Sequence, residues 1–174
     1  MTVEIRHPYR HEIVGDTLDS LIFKDRFRHY EQLFKLNPRG ILVAVDRDVV
    51  GVIASERISE GKILPLKEQP FPPLDHDPIH DEGHVSYIAG FSVKNYYRER
   101  GIGDLLVRNF LNLMKEQGYN LAAVLYNIGN PDLRDAEIWR KHGFRPLRDT
   151  RDKRWKQSAD KPVDECIFLG KYLR

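Results

Sequence analysis

At 174 residues the chain is about one domain long, with room for a sizeable core. Its 41% hydrophobic and 31% charged residues are the balance of a soluble globular protein, and a net charge of +2 is too small to argue for a nucleic-acid partner. A single cysteine, Cys166, allows no internal disulfide and fits a reducing compartment. The charged first ten residues lack the apolar core of a signal peptide, and no apolar run nears the roughly 20 residues of a membrane span. The expectation is a cytoplasmic, soluble protein with one domain over residues 1–174, monomeric or homodimeric.

Residues 3–5 predict a short first strand. From Asp16 the apolar spacing turns helical, with Leu18, Leu21, Ile22, Phe27, Tyr30, Leu33 and Phe34 recurring every three to five residues until the sequence Asn37-Pro38-Arg39-Gly40 stops the run. Residues 40–45 and 49–55 predict a hairpin turning at Asp46-Arg47-Asp48. Residues 56–83 are polar and carry five prolines, which predicts a long functional loop. Val85–Val93 predicts a strand in which Gly90 marks a bulge or a close backbone approach. After a glycine loop, Ile102, Leu105, Leu106, Phe110, Leu113 and Met114 share one face of a helix that Gly118 would end. Residues 121–125 predict a buried strand, 133–142 a helix, and 144–147 and 165–169 the final strands. Alternating strands and helices in the second half predict a mixed α/β sheet with helices on both faces.

The junction between the strand at Val85–Val93 and the next helix carries the chemistry. Arg98, Gly101 and Gly103 are spaced R-x-x-G-x-G. Glycines let backbone approach a ligand closely, and the first amides of a new helix point at it without partners. Such a cradle suits a phosphate or pyrophosphate. No Walker lysine motif is present, and no G-x-G-x-x-G opens an earlier strand-helix unit, so nucleoside-triphosphate and dinucleotide folds are disfavoured.

With Val93 before the run Tyr97-Arg98-Glu99-Arg100-Gly101-Ile102-Gly103, and Trp139-Arg140-Lys141-His142-Gly143-Phe144 after it, the chain resembles the GNAT superfamily of acyl-CoA-dependent N-acetyltransferases over roughly residues 85–144. The resemblance implies a mostly antiparallel mixed sheet of six to seven strands, splayed at the cofactor site. It implies that the backbone of Phe91, Ser92 and Val93 pairs with the pantetheine arm of acetyl-CoA. It further implies that the amides of Arg98, Glu99, Arg100, Gly101, Ile102 and Gly103 hold the pyrophosphate, with Asn130 bonding the pantetheine. The implied reaction moves an acetyl group from acetyl-CoA to a primary amine of a small molecule or protein by direct attack.

That reaction needs a base for the ammonium, a donor for the oxyanion and, in many members, an acid for the thiolate. A splayed strand's N–H near Val93 would be the donor. The family's usual tyrosine acid is replaced by Trp139, whose indole N–H is no practical acid, and its usual glutamate base by Tyr87. Tyr126 is a substitute acid, while Tyr87, His84, Glu82 and Glu56 are the candidates for the base. These departures leave open a second reading, a catalytically degenerate acyl-CoA-binding regulatory module. His76, His80 and His84 have ligand-like spacing, but Pro78 and Gly83 oppose the helix that would align them, so no metal is expected. The basic stretch with Trp155 between the last two strands reads as a solvated loop.

Overall fold

The computed structural model describes residues 2–14, 29–58, 85–127, 134–149 and 166–173. Its strands are β1 (Glu4–Arg6), β2 (Ile41–Asp46), β3 (Asp48–Ile58), β4 (Val85–Val93), β5 (Leu121–Asn127), β6 (Arg145–Asp149) and β7 (Cys166–Tyr172). They form one sheet in the order β1-β2-β3-β4-β5-β7-β6. Every neighbouring pair is antiparallel except β4 and β5, which run parallel. The helices among the described residues are α1 (Arg10–Val14), α2 (His29–Leu36), α3 (Ile102–Glu116) and α4 (Arg134–Lys141). None of them is long and apolar enough to cross a membrane.

The sheet is covered on both faces. β2 is apolar at every position from Ile41 to Val45 because both its sides are covered. Leu42 and Ala44 join Leu106, Phe110, Met114, Trp139 and Phe144 on the α3 face. Ile41 and Val43 join Ile13, Tyr30 and Leu33 on the opposite face. α3 buries Ile102, Leu106, Val107, Phe110, Leu111 and Met114, and leaves Leu105 and Leu113 half-buried. The expected stripe was therefore turned slightly: burial extends to Val107 and Leu111 because the wide sheet covers more than one narrow seam. Each large side chain so buried contributes roughly 1.5–3 kcal/mol.

Two departures from expectation concern β3 and α1. β3 continues through Glu56 and Arg57 to Ile58, where a polar loop was expected to begin. Its ladder with β4 runs on to the pair Ile58↔Val85, and a neighbour's hydrogen bonds override the weak strand propensity of charged residues. The remainder of that loop, 59–83, lies outside the described residues, as does most of the expected first helix. α2 retains its end, with Tyr30 and Leu33 buried. α1 was not foreseen. Glu12 accepts the Tyr9 N–H at 2.6 Å, as the third residue of a helix does in a capping box. Arg6 grips the same carboxylate in two-pronged fashion at 2.8 and 2.9 Å. Those Arg6 bonds, with help from the Tyr9 amide, outweigh burial and hold the Glu12 carboxyl below the usual range.

Two features of β4 prepare the site. Ala54 pairs with Gly90 but Ser55 with Ile88, so Ala89 is an extra residue in a bulge. A Cβ on Gly90 would stand 2.9 Å from the buried Tyr30 ring, so the close approach predicted there is also present. Pairing with β5 covers only Val85↔Leu121 to Ile88↔Val124. Beyond Ile88 the two strands part, and β4 keeps β3 alone.

Candidate active site

The parted strands leave one edge of β4 open. The Lys94 N–H donates to Val50 O at 2.8 Å, which fixes the phase of the antiparallel ladder. Amides alternate in direction along a strand, so Ser92 also turns to β3 while Phe91 and Val93 turn to the gap. Of the three residues expected along the cofactor arm, two thus offer backbone groups there. The Val93 carbonyl accepts from Arg98 Nε at 3.3 Å.

The chain then makes a short 3₁₀ turn over Asn95–Tyr97 and reaches α3. Tyr97 is tied to the β2–β3 turn by its hydroxyl, which donates to Asp46 Oδ2 at 3.2 Å. Glu99 and Gly101 both adopt left-handed backbone, at φ 64° and 76°. Such left-handed steps turn successive N–H groups into an anion-binding concavity. A non-glycine residue held there costs of order 1 kcal/mol, and among the described residues only Arg47, in the β2–β3 turn, shares it. Gly101 caps α3, with nothing within 4 Å of where its Cβ would lie. A Cβ on Gly103 would instead stand 2.9 Å from Ile138 Cδ1 and 3.3 Å from Phe91 Cζ. The first glycine therefore serves conformation and the second close packing of α3 against α4. Leu105 N–H is bonded to Gly101 O, so the amides of Ile102, Gly103 and Asp104 precede the first intrahelical bond.

A cavity of about 370 Å³ opens at this point. Phe91, Ser92, Val93, Arg98, Glu99, Gly101 and Gly103 line it from the β4–α3 side. Asp104, Glu137, Ile138 and Lys141 complete it, and sequence reasoning missed these four. Their signal was present but weak: Lys141 lies inside the run Trp139–Phe144, and Glu137 one helical turn before it. Two expected residues turn their side chains elsewhere. Ile102 is buried in the core, and the Arg100 guanidinium lies 4.4 Å over the Tyr96 ring.

Asp104 ties the start of α3 to the end of α4. Lys141 Nζ meets its Oδ2 at 2.6 Å and His142 Nε2 its Oδ1 at 3.0 Å. Burial pushes this carboxyl up, but the bonds from Lys141 and His142 outweigh it, and the net shift is downward.

Trp139, at the position of the expected acid, is 3% exposed. Its ring packs between Phe91 and Phe144, each 5.1 Å away centre to centre. It is a core residue. Tyr87 is half-buried on the face away from α3 and pairs directly with Glu56 on β3. Directly paired residues share a face, with Cβ atoms about 4.5–5.5 Å apart. The pair sits one residue before β4 leaves β5. Tyr126 lies in β5 opposite Ile167, and Cys166 in β7 opposite Asn127. His84, Glu82, Asn130 and the histidines at 76 and 80 lie outside the described residues. Among the described residues no group of three metal-ligating side chains comes together.

The model of the acetyltransferase (GNAT) family matches residues 4–144, and the chain belongs to this family. No curated protein matches in sequence. Solved structures match over nearly the whole chain. The NatC complex bound to Gag peptide and CoA contains a chain 16% identical, with a TM-score of 0.70 and full coverage of both chains. The GphF GNAT-like decarboxylase in complex with isobutyryl-CoA is 17% identical, covering 98% of this chain and 100% of its own, at a TM-score of 0.69. Ard1 from Thermoplasma volcanium is also 17% identical, covering 99% and 98%, at 0.66. At these identities the likeness is one of fold, and it agrees with the mixed α/β architecture.

Proposed function

We propose that the protein, acting as a single domain, is an acyl-CoA-dependent N-acetyltransferase that moves an acetyl group to a primary amine by direct attack. The observation that carries this reading is the continuity of the open β4 edge with the α3 amides across one cavity. Coenzyme A needs both, a polar edge for its amide-bearing arm and a cradle for its pyrophosphate. The residues present fit it. Phe91 and Val93 hold the arm as an added strand would, and Gly101, Ile102, Gly103 and Asp104 offer their amides to the phosphates. Arg98 adds a positive charge at the rim.

Bound acetyl-CoA supplies an acetyl group activated as a thioester. With the phosphates at α3, the arm runs back along β4 toward the split at Ile88. The Phe91 N–H is then the donor nearest the reacting carbonyl, two residues closer to the split than Val93. Glu56, beside Tyr87, takes the proton from the acceptor ammonium, directly or through the phenol. The thiol of coenzyme A, with an ordinary pKa of about 8.5, leaves as thiolate without an acid from Trp139. The Gag peptide in the NatC structure supports a peptide amine among the acceptors to be tried.

The test is release of free thiol from acetyl-CoA against a panel of small amines, polyamines and peptide N-termini. The reading predicts turnover on at least one. Acetyl-CoA binding without turnover on any would instead favour the degenerate module, for which the buried Trp139 is the specific argument.

A further inference from the structure

The phosphate cradle contains a contradiction. Asp104 is the third residue of α3, the position from which a carboxylate most readily reaches back to its own helix N-terminus. An acidic side chain seated there would occupy the amides that a phosphate needs and would repel the phosphate as well. In this chain both carboxylate oxygens are taken elsewhere. Oδ2 is held by Lys141 and Oδ1 by His142, both at the end of α4. That hold also lowers the Asp104 carboxyl below its usual range against the opposing effect of burial.

We propose that Lys141 and His142 act as positioning residues that draw Asp104 away from the start of α3 and thereby keep the phosphate cradle open. This inference rests on the coenzyme A reading of the cavity. It assigns Lys141 and the adjoining His142 a role through Asp104 rather than through the ligand. Released from α4, Asp104 caps α3 itself and competes with pyrophosphate.

The competition is measurable by calorimetric titration with acetyl-CoA, followed by displacement with inorganic pyrophosphate. Replacing both partners, Lys141→Met with His142→Phe, is expected to weaken acetyl-CoA binding about five- to tenfold, the worth of a helix cap plus a like charge. Adding Asp104→Ala to that pair is expected to restore affinity to the wild-type level or better. Asp104→Ala alone is expected to tighten binding about two- to threefold, and pyrophosphate to follow the same order. Lys141→Met alone, at a side chain 63% exposed, tests the idea with little risk to folding and is expected to weaken binding about threefold. The triple variant remaining as weak as the double would overturn the proposal, because Lys141 and His142 would then act on the phosphates themselves. Unchanged affinity in the double variant, or weaker binding by Asp104→Ala, would overturn it equally. A wild type that binds no acetyl-CoA would refute the cofactor reading itself, so the two failures are distinguishable.

Discussion

The two ends of the split between β4 and β5 are built differently. Toward α3 the site is backbone: a strand edge, two left-handed residues and the start of one helix, all within 91–104. Toward β3 it is side chain: Glu56 and Tyr87 meet across a ladder, 31 positions apart in sequence. A backbone site needs glycines and a strand-to-helix junction, a pattern local in sequence. A side-chain site depends on register, and so can be rebuilt with different residues. On the proposed reading, the cofactor end keeps the motif, while Trp139 and Tyr87 stand where the resemblance places an acid and a base.

If this contrast holds, the largest effect comes from blocking the backbone end. Gly103→Asp is expected to lower acetyl-CoA affinity at least about a hundredfold by calorimetry, because it sets a charge and a side chain among the amides. It also crowds Ile138 and Phe91, so thermal unfolding should show a loss of about 1–3 kcal/mol. At the side-chain end, Glu56→Gln is expected to reduce kcat about a hundredfold in the thiol-release assay. KM for acetyl-CoA should stay within about twofold and Glu56→Asp should recover part of the rate. A loss in KM instead would erase the division of labour.

Away from both ends, Glu12 separates stability from catalysis. Glu12→Ala breaks a mostly buried pair with Arg6 and is expected to cost roughly 3 kcal/mol in denaturant melts, with the kcat of the folded protein unchanged. Because the folded carboxyl lies below its unfolded value of about 4.3, its stabilisation is full above that pH. It is lost as pH falls through the lowered value, so the wild-type stability curve should drop below about pH 4 and the variant's should drop less. The smallest effect is expected at Trp139→Tyr. Turnover should change less than about threefold, since the site is packed core between Phe91 and Phe144, whereas a tenfold rise would restore an acid role.

Much of the frame was legible in the sequence. Val85–Val93 is bounded as expected because a mostly apolar run, broken only by Ser86, Gly90 and Ser92, ends at the charged Lys94. The glycine loop and α3 were readable because their signals are local: a 3.6-residue period and glycines at fixed offsets. Three things were not. β3 extends through charged residues because β4 pairs with them, and pairing is not local. α1 is only five residues long and is held by Arg6, outside itself. The cluster of Asp104, Lys141 and His142 spans two helices 38 positions apart, and only their packing brings the charges together.

The central claim, that the open β4 edge and the start of α3 together hold the acyl-CoA, is tested most directly by backbone amide NMR during titration with acetyl-CoA. The account predicts the largest shift changes at Phe91, Val93, Ile102, Gly103 and Asp104, with little change at β1 or α1. Saturable binding with those five amides unmoved would contradict it.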